Sequence, residues 1–193
     1  MNLANKLTTI RIFLVPVMIL FFYFNMPVIA AIVFFIAAMT DILDGKIARK
    51  RDMVTTFGKF FDPIADKLIT ISAFILITVA VPDASVLLRI FYALFTIVII
   101  SRELMVTSFR ALAIGEGVVI AADKWGKLKT TFQDIAVICL FINMHKFNIW
   151  IFDDVLFYVS NIVLVISVIL TIFSGVNYLT SNKEVLDRIK ENI

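Results

Sequence analysis

Apolar residues run along the chain in six blocks, near 7–25, 28–50, 59–81, 85–113, 123–146 and 150–180, with short polar breaks between them. No block shows the alternation of a half-buried strand, and each has the length of a long helix. Pro27 and Pro82 fall in the breaks, where a turn or the first turn of a helix tolerates a missing N–H. A seventh, shorter pattern closes the chain. Val185, Leu186, Ile189 and Ile193 recur at helical spacing within Lys183–Ile193, which predicts an amphipathic tail over 181–193, either on the cytosolic membrane surface or solvated and frayed. The expected architecture is all-α, a single six-helix transmembrane domain over 1–180 followed by that tail.

Composition supports a membrane protein. Of 193 residues, 61% are hydrophobic and 17% charged, with a mean hydropathy of +1.00. Soluble domains are about 45–50% apolar and about 25% charged. Val28-Ile29-Ala30 loosely resembles a cleavage site, but removing the first block would leave an odd set of spans with misplaced charges. The net charge of +3 is too small to suggest a nucleic-acid partner. With one cysteine, Cys139, and one histidine, His145, neither an internal disulfide nor a His-rich metal site can form. Any chemistry must run on carboxylates, Arg, Lys and hydroxyls.

The cations set the orientation. Lys6 and Arg11, the group from Lys46 to Lys67, the group from Arg102 to Lys129, and Lys183, Arg188 and Lys190 fall on one side, sixteen in all. Only Arg89 and Lys146 fall on the other. By the positive-inside rule both termini are cytosolic.

Acidic residues then appear where lipid is expected. Asp41 lies 13 residues beyond Val28, about 20 Å into a core about 30 Å thick. Asp41 and Asp44 are three apart and share a helical face, as do Asp62 and Asp66, four apart. Such groups mark a pathway or a site when they are not simply paired with nearby cations such as Arg49, Lys59 or Lys67. Oxygen-only ligands favour Mg²⁺, Mn²⁺ or Ca²⁺. Two divalent ions could neutralise four carboxylates and clamp a diphosphate. A divalent-cation transport pathway is the competing reading, although no comparable acids continue across the membrane.

Gly45 leaves room for a bulky ligand, and Arg49 one turn on offers a fork suited to phosphate oxygens. The whole stretch reads Asp41-x2-Asp44-Gly45-x2-Ala48-Arg49-x8-Gly58-x3-Asp62-x3-Asp66. It resembles the signature of the CDP-alcohol phosphotransferases, membrane enzymes of phospholipid synthesis. Asn5-x2-Thr8-x2-Arg11 is similar to the family's N-terminal pattern. The resemblance implies a six-helix membrane domain, a homodimer, and two divalent ions, usually Mg²⁺, on Asp41, Asp44, Asp62 and Asp66. It implies that Asp66 is also the base that deprotonates the acceptor. It places Asn5, Thr8, Gly45, Arg49, Thr55 and Gly58 around a CDP-diacylglycerol donor. No helix shows a convincing small-xxx-small stripe from which dimerisation could be derived.

The runs Gly58–Leu68, Ser101-Arg102-Glu103 with Arg110, and Lys127-x-Lys129-Thr130-x2-Gln133 resemble the branch whose acceptor is sn-glycerol 3-phosphate. A phosphorylated acceptor carries about two negative charges near pH 7 and needs excess cation. Arg110, Lys124, Arg102, Lys127 and Lys129 are the candidates to supply it, against the alternative of plain positive-inside bias. Glu103 is expected to orient one of these cations. Charge alone leaves an inositol-phosphate acceptor open, while serine would not need the excess. The expected location is the plasma membrane, with the site at the cytosolic face.

Overall fold

The structure, a computed structural model, describes the backbone at residues 3–51, 56–80, 85–115, 117–118, 120 and 123–191. Side chains are described at all of these except 3–7, 41–51, 56–63, 66 and 188–191. The described residues form seven helices: α1 (Leu3–Tyr23), α2 (Pro27–Arg51), α3 (Thr56–Val79), α4 (Val86–Gly115), α5 (Lys124–Asn143), α6 (Trp150–Ser181) and α7 (Lys183–Glu191). The first six reproduce the apolar blocks, with ends displaced by a few residues. Two of them, α4 and α6, are long and apolar enough to cross a membrane, and shorter apolar helices cover Thr8–Tyr23, Pro27–Thr40 and Lys67–Val79. The described residues contain helices and no strand, an architecture compatible with a membrane protein.

Local chemistry explains the breaks. Asn25 adopts φ 58°, and the Asn25 and Met26 amides donate back to the Phe22 and Phe21 carbonyls at 3.1 and 3.0 Å. This left-handed cap ends α1, and Pro27 then opens α2, where its missing N–H costs nothing. Gly117, at φ 76°, does the same beyond α4. There the Gly117 and Val118 amides return to the Ile114 and Ala113 carbonyls at 3.0 and 2.8 Å.

α1 packs against both α2 and α3, α5 lies against α2, α3 and α6, and α4 bridges α3 and α6. The core is assembled from one face of each helix. Ala30, Val33, Phe34 and Ala37 of α2 face Ile69, Ala73, Phe74 and Ile77 of α3 and Val137, Leu140 and Phe141 of α5. Phe22 and Phe141 meet with ring centroids 5.0 Å apart. The outer faces of α4 and α6 expose Leu94, Ile97, Ile162 and Ile169, as a lipid-facing surface does.

The α5–α6 contact is the most extensive in the molecule. It corrects one sequence expectation, because α6 does carry a stripe of small residues. Ser160, Ser167, Thr171, Ser174 and Gly175 are buried, with spacings that keep them on one face. The serine and threonine hydroxyls bond to carbonyls of their own helix, so they bring small volume without an unsatisfied donor. Gln133 of α5 donates to Thr171 Oγ1 across the seam at 3.1 Å.

The amphipathic tail forms α7 as expected. Its apolar residues are not given to lipid alone, since Val185 and Leu186 pack on a small cluster of Val106, Phe109 and Tyr178 at the ends of α4 and α6.

Close packing along α6 gives a direct expectation. Ser167 is 0% exposed, and Ser167→Leu forces extra methylenes into the seam, costing about 1–3 kcal/mol. Ile166→Leu, on the outer side of the same turn, should stay within about 0.5 kcal/mol. Thermal unfolding in detergent measures both, and equal midpoints would contradict the packed seam.

Candidate active site

Asp41, Asp44, Gly45 and Arg49 lie on α2, and Gly58, Asp62 and Asp66 lie on α3. Their side chains are outside the described set, Asn5 on α1 is described only in its backbone, and Thr55 lies outside the described residues. The backbone still fixes a relation between the two acidic pairs. The two helices are sequential and in contact. Asp44 precedes the end of α2 at Arg51 by about as much as Asp62 follows the start of α3 at Thr56. At about 1.5 Å per residue both pairs therefore sit about 10–15 Å along their helices from the same connection. The donor set on these helices is carboxylate oxygen throughout, which suits a hard divalent cation. Among the described residues no other group of three His, Cys, Asp or Glu could hold a metal. Thr8 and Arg11, one turn apart on α1, are each 1% exposed.

The proposed cations separate into distinct environments. Lys129 of α5 and Arg102 of α4 both reach Glu103 of α4. The Lys129 ammonium donates to Glu103 Oε1, and Arg102 Nη1 lies 3.4 Å from the same oxygen. The side chains of Lys129, Arg102 and Glu103 are only 3%, 11% and 17% exposed, so this charge set is largely desolvated. Arg102 Nη2 donates to Ser174 Oγ of α6 at 2.9 Å. One glycine makes the room. A Cβ at Gly175 would meet Arg102 Cγ at 3.1 Å, whereas one at Gly126 would meet Arg102 Nη2 at 3.9 Å, an ordinary van der Waals contact. Arg102 thus lies against α6 where that backbone carries no side chain.

Arg110, two turns further along α4, is half-buried and stands apart from this set. Its Nε donates to Tyr178 Oη of α6 at 2.9 Å, and its guanidinium carbon lies 5.2 Å from the Tyr178 ring centroid. Lys124 and Lys127 are exposed at the start of α5. Asp123, just before them, is tied to α6 by Asn177 Nδ2 at 2.9 Å rather than capping its own helix. The structure therefore joins Arg102 to Lys129 and separates both from Arg110, Lys124 and Lys127. Arg102 and Arg110 do share a side of α4, as their spacing predicts, since both reach α6.

One contact links the carboxylate helices to the cationic ones. Lys67, the neighbour of Asp66 on α3, donates to Thr107 Oγ1 of α4, and that hydroxyl bonds the Glu103 carbonyl at 2.7 Å. Thr107 lies between Glu103 and Arg110, so the Asp66 turn of α3 abuts the cationic turns of α4.

Sequence reasoning missed Ser174, Gly175, Gly126 and Tyr178. The signal available was the recurrence of small and polar residues along α6 ending in Tyr178, read against the cations of α4.

The profile of the CDP-alcohol phosphatidyltransferase family matches residues 1–173, and so ends short of Tyr178 and α7. A Bacillus subtilis protein named CDP-diacylglycerol–glycerol-3-phosphate 3-phosphatidyltransferase is 38% identical, covering 96% of this chain and 97% of its own. Proteins of the same name from Haemophilus influenzae and Rickettsia typhi are 35% and 36% identical; the matches cover 98% and 94% of this chain, and 98% and 97% of theirs.

The shared carboxylate predicts a large stability effect. Glu103→Gln removes the negative charge that Arg102 and Lys129 share and should cost about 2–4 kcal/mol, discounted for partial exposure. Lys129→Met added to it should recover part of the loss. A Glu103→Gln protein with the wild-type unfolding midpoint would show that the cations need no partner there.

Proposed function

Because the chain belongs to the CDP-alcohol phosphatidyltransferase family, we propose that it transfers the phosphatidyl group of CDP-diacylglycerol to sn-glycerol 3-phosphate. The products are phosphatidylglycerophosphate and CMP. The observation that carries this reading is the near-full-length similarity to relatives named for that reaction. In this reading both termini and the site lie at the cytosolic face of the plasma membrane, with six spans in one domain over 1–180 and the tail over 181–193. The charge asymmetry supports this orientation. The enzyme works as a homodimer, as the family resemblance implies.

The acceptor's primary hydroxyl attacks the phosphorus that bears the diacylglycerol. A P–O bond to CMP breaks, and the hydroxyl proton passes to the Asp66 carboxylate. Asp41, Asp44, Asp62 and Asp66 would hold two divalent cations, Mg²⁺ or Mn²⁺, which supply charge neutralisation of the diphosphate and of departing CMP. Arg49 grips donor phosphate oxygens. Gly45 and Gly58 leave room for the nucleotide, and Asn5, Thr8 and Thr55 border it. Arg110, with Lys124 and Lys127 from the solvent side, holds the acceptor phosphate away from the carboxylates. Arg102 and Lys129 add positive field from beneath, although Glu103 offsets part of it. The Lys67–Thr107 contact supports this arrangement, because it keeps the turn that carries Asp66 against the turns that carry the cations.

A mixed-micelle assay of CMP release with CDP-diacylglycerol and a panel of alcohols tests the reading. Turnover should require a divalent metal and glycerol 3-phosphate. Activity with inositol phosphate or serine in its place would keep the family and overturn the acceptor. Asp41→Asn should fold, insert and lose nearly all turnover, and full activity at limiting Mg²⁺ would remove the metal assignment.

Asp66 has a separable test. Asp66→Asn should keep part of its metal and donor binding, measured by calorimetry, yet fail in turnover because an amide cannot accept the proton. Turnover restored by excess metal would make Asp66 a ligand only.

A further inference from the structure

Arg102 and Lys129 are answered by a carboxylate, whereas the half-buried Arg110 is answered by a neutral phenol. That difference matters. A carboxylate would cancel the guanidinium charge and compete with a bound phosphate. A tyrosine hydroxyl accepts one hydrogen bond and leaves the charge in place. The bond uses Nε, so the end-on edge of the guanidinium, Nη1 and Nη2, remains available for two parallel bonds to an oxyanion. The ring contributes as well, lying within cation–π range of the guanidinium.

Tyr178 is itself held firmly. It is 2% exposed, and its ring meets Phe109 edge to face, with centroids 6.0 Å apart at 86°. Asn182 Nδ2 donates to the Tyr178 carbonyl at 2.7 Å, and Val185 and Leu186 of α7 pack on the same cluster. A long, flexible arginine is thereby reduced to one pose before any ligand arrives, which lowers the entropy lost on binding. Tyr178 and α7 lie beyond residues 1–173, the segment that the family profile matches.

We propose that Tyr178 is a positioning residue, which fixes the Arg110 guanidinium with its charge uncancelled so that its end-on edge receives the phosphate of the acceptor. The proposal rests on the reading of Arg110 as the acceptor-phosphate residue, and the test separates the two. Steady-state kinetics are measured on the full-length enzyme in mixed micelles, varying glycerol 3-phosphate and CDP-diacylglycerol in turn. Arg110→Ala should raise KM for glycerol 3-phosphate by about 10-fold or more, the scale of one lost charge-assisted contact. Tyr178→Phe keeps the ring and its contact with Phe109 but removes the acceptor oxygen. It should raise KM for glycerol 3-phosphate by about 3- to 10-fold, with kcat and the donor KM within about twofold of wild type. In an Arg110→Lys background there is no Nε to hold, so Tyr178→Phe should add nothing further.

A KM effect of Arg110→Ala with none from Tyr178→Phe overturns the positioning role and leaves the acceptor site standing. An undiminished Tyr178→Phe effect in the Arg110→Lys background also overturns it, as does a Tyr178→Phe loss confined to kcat or to the donor. Unchanged kinetics in Arg110→Ala overturn the acceptor assignment and the positioning role together.

Discussion

Glu103 is the carboxylate between Arg102 of its own helix and Lys129 of α5, and the arrangement of the last three long helices depends on it. Three charged groups with little exposure cannot be tolerated singly in a low-dielectric bundle. Long side chains bridge α4 and α5 at this level, and Arg102 also crosses toward α6 to reach Ser174. The α4 and α6 backbones can come close there because Gly175 sets no Cβ against the Arg102 side chain. A charge requirement thereby dictates where the sequence needs glycine, which neither helix propensity nor hydropathy would suggest.

The same economy extends along α6. Lipid offers no hydrophobic gain for bringing helices together, so close approach and satisfied polar groups must do it. Serine and threonine hydroxyls on α6 return to their own backbone and leave a smooth, small-featured face for α5. Toward the other end of the bundle, Thr78 with Thr96 at 2.8 Å and Tyr92 with Asn161 at 2.9 Å tie α3 to α4 and α4 to α6. Polar side chains thus mark helix–helix contacts beside the apolar core, while further large apolar residues of α4 and α6 face outward, as contact with lipid allows.

How much of this could be read in the sequence depended on whether a feature is local. The six long helices were legible, because length and unbroken hydropathy set them, and the ends moved only where a cap such as Asn25 or Gly117 decided the last turn. The carboxylate spacing on α2 and α3 was legible for the same reason, since three and four residues are helical neighbours. The partners of the cations were not. Arg102 and Glu103 are adjacent in sequence, and adjacent residues on a helix do not normally face one another. Only Lys129 from α5 and Ser174 from α6 make their convergence necessary. The small stripe on α6 was overlooked because such stripes suggest contacts between chains, whereas this one serves a contact within the chain. The five proposed acceptor cations looked equivalent as a list of charges, and tertiary structure alone divides them into compensated, held and exposed.

That division bears on how a membrane enzyme can keep two anionic substrates apart. In the proposed reaction the donor diphosphate and the acceptor phosphate must be bound within a few bond lengths of each other without exchanging places. A field of equivalent cations would bind either group anywhere. Here the groups differ in kind: carboxylates on α2 and α3 that would call for divalent cations, a pair at Arg102 and Lys129 whose charge Glu103 offsets in part, and a single guanidinium at Arg110 answered by a neutral hydroxyl. The hydroxyl of Thr107 joins these regions, since it accepts from Lys67 beside Asp66 and donates to the carbonyl of Glu103. A displacement of α4 relative to α3 would therefore move the cationic turns and the Asp66 turn apart together. In that proposed reaction, the rigidity of α4 through α6, to which the buried charge set on Glu103 contributes, would keep the acceptor at a fixed distance from its base.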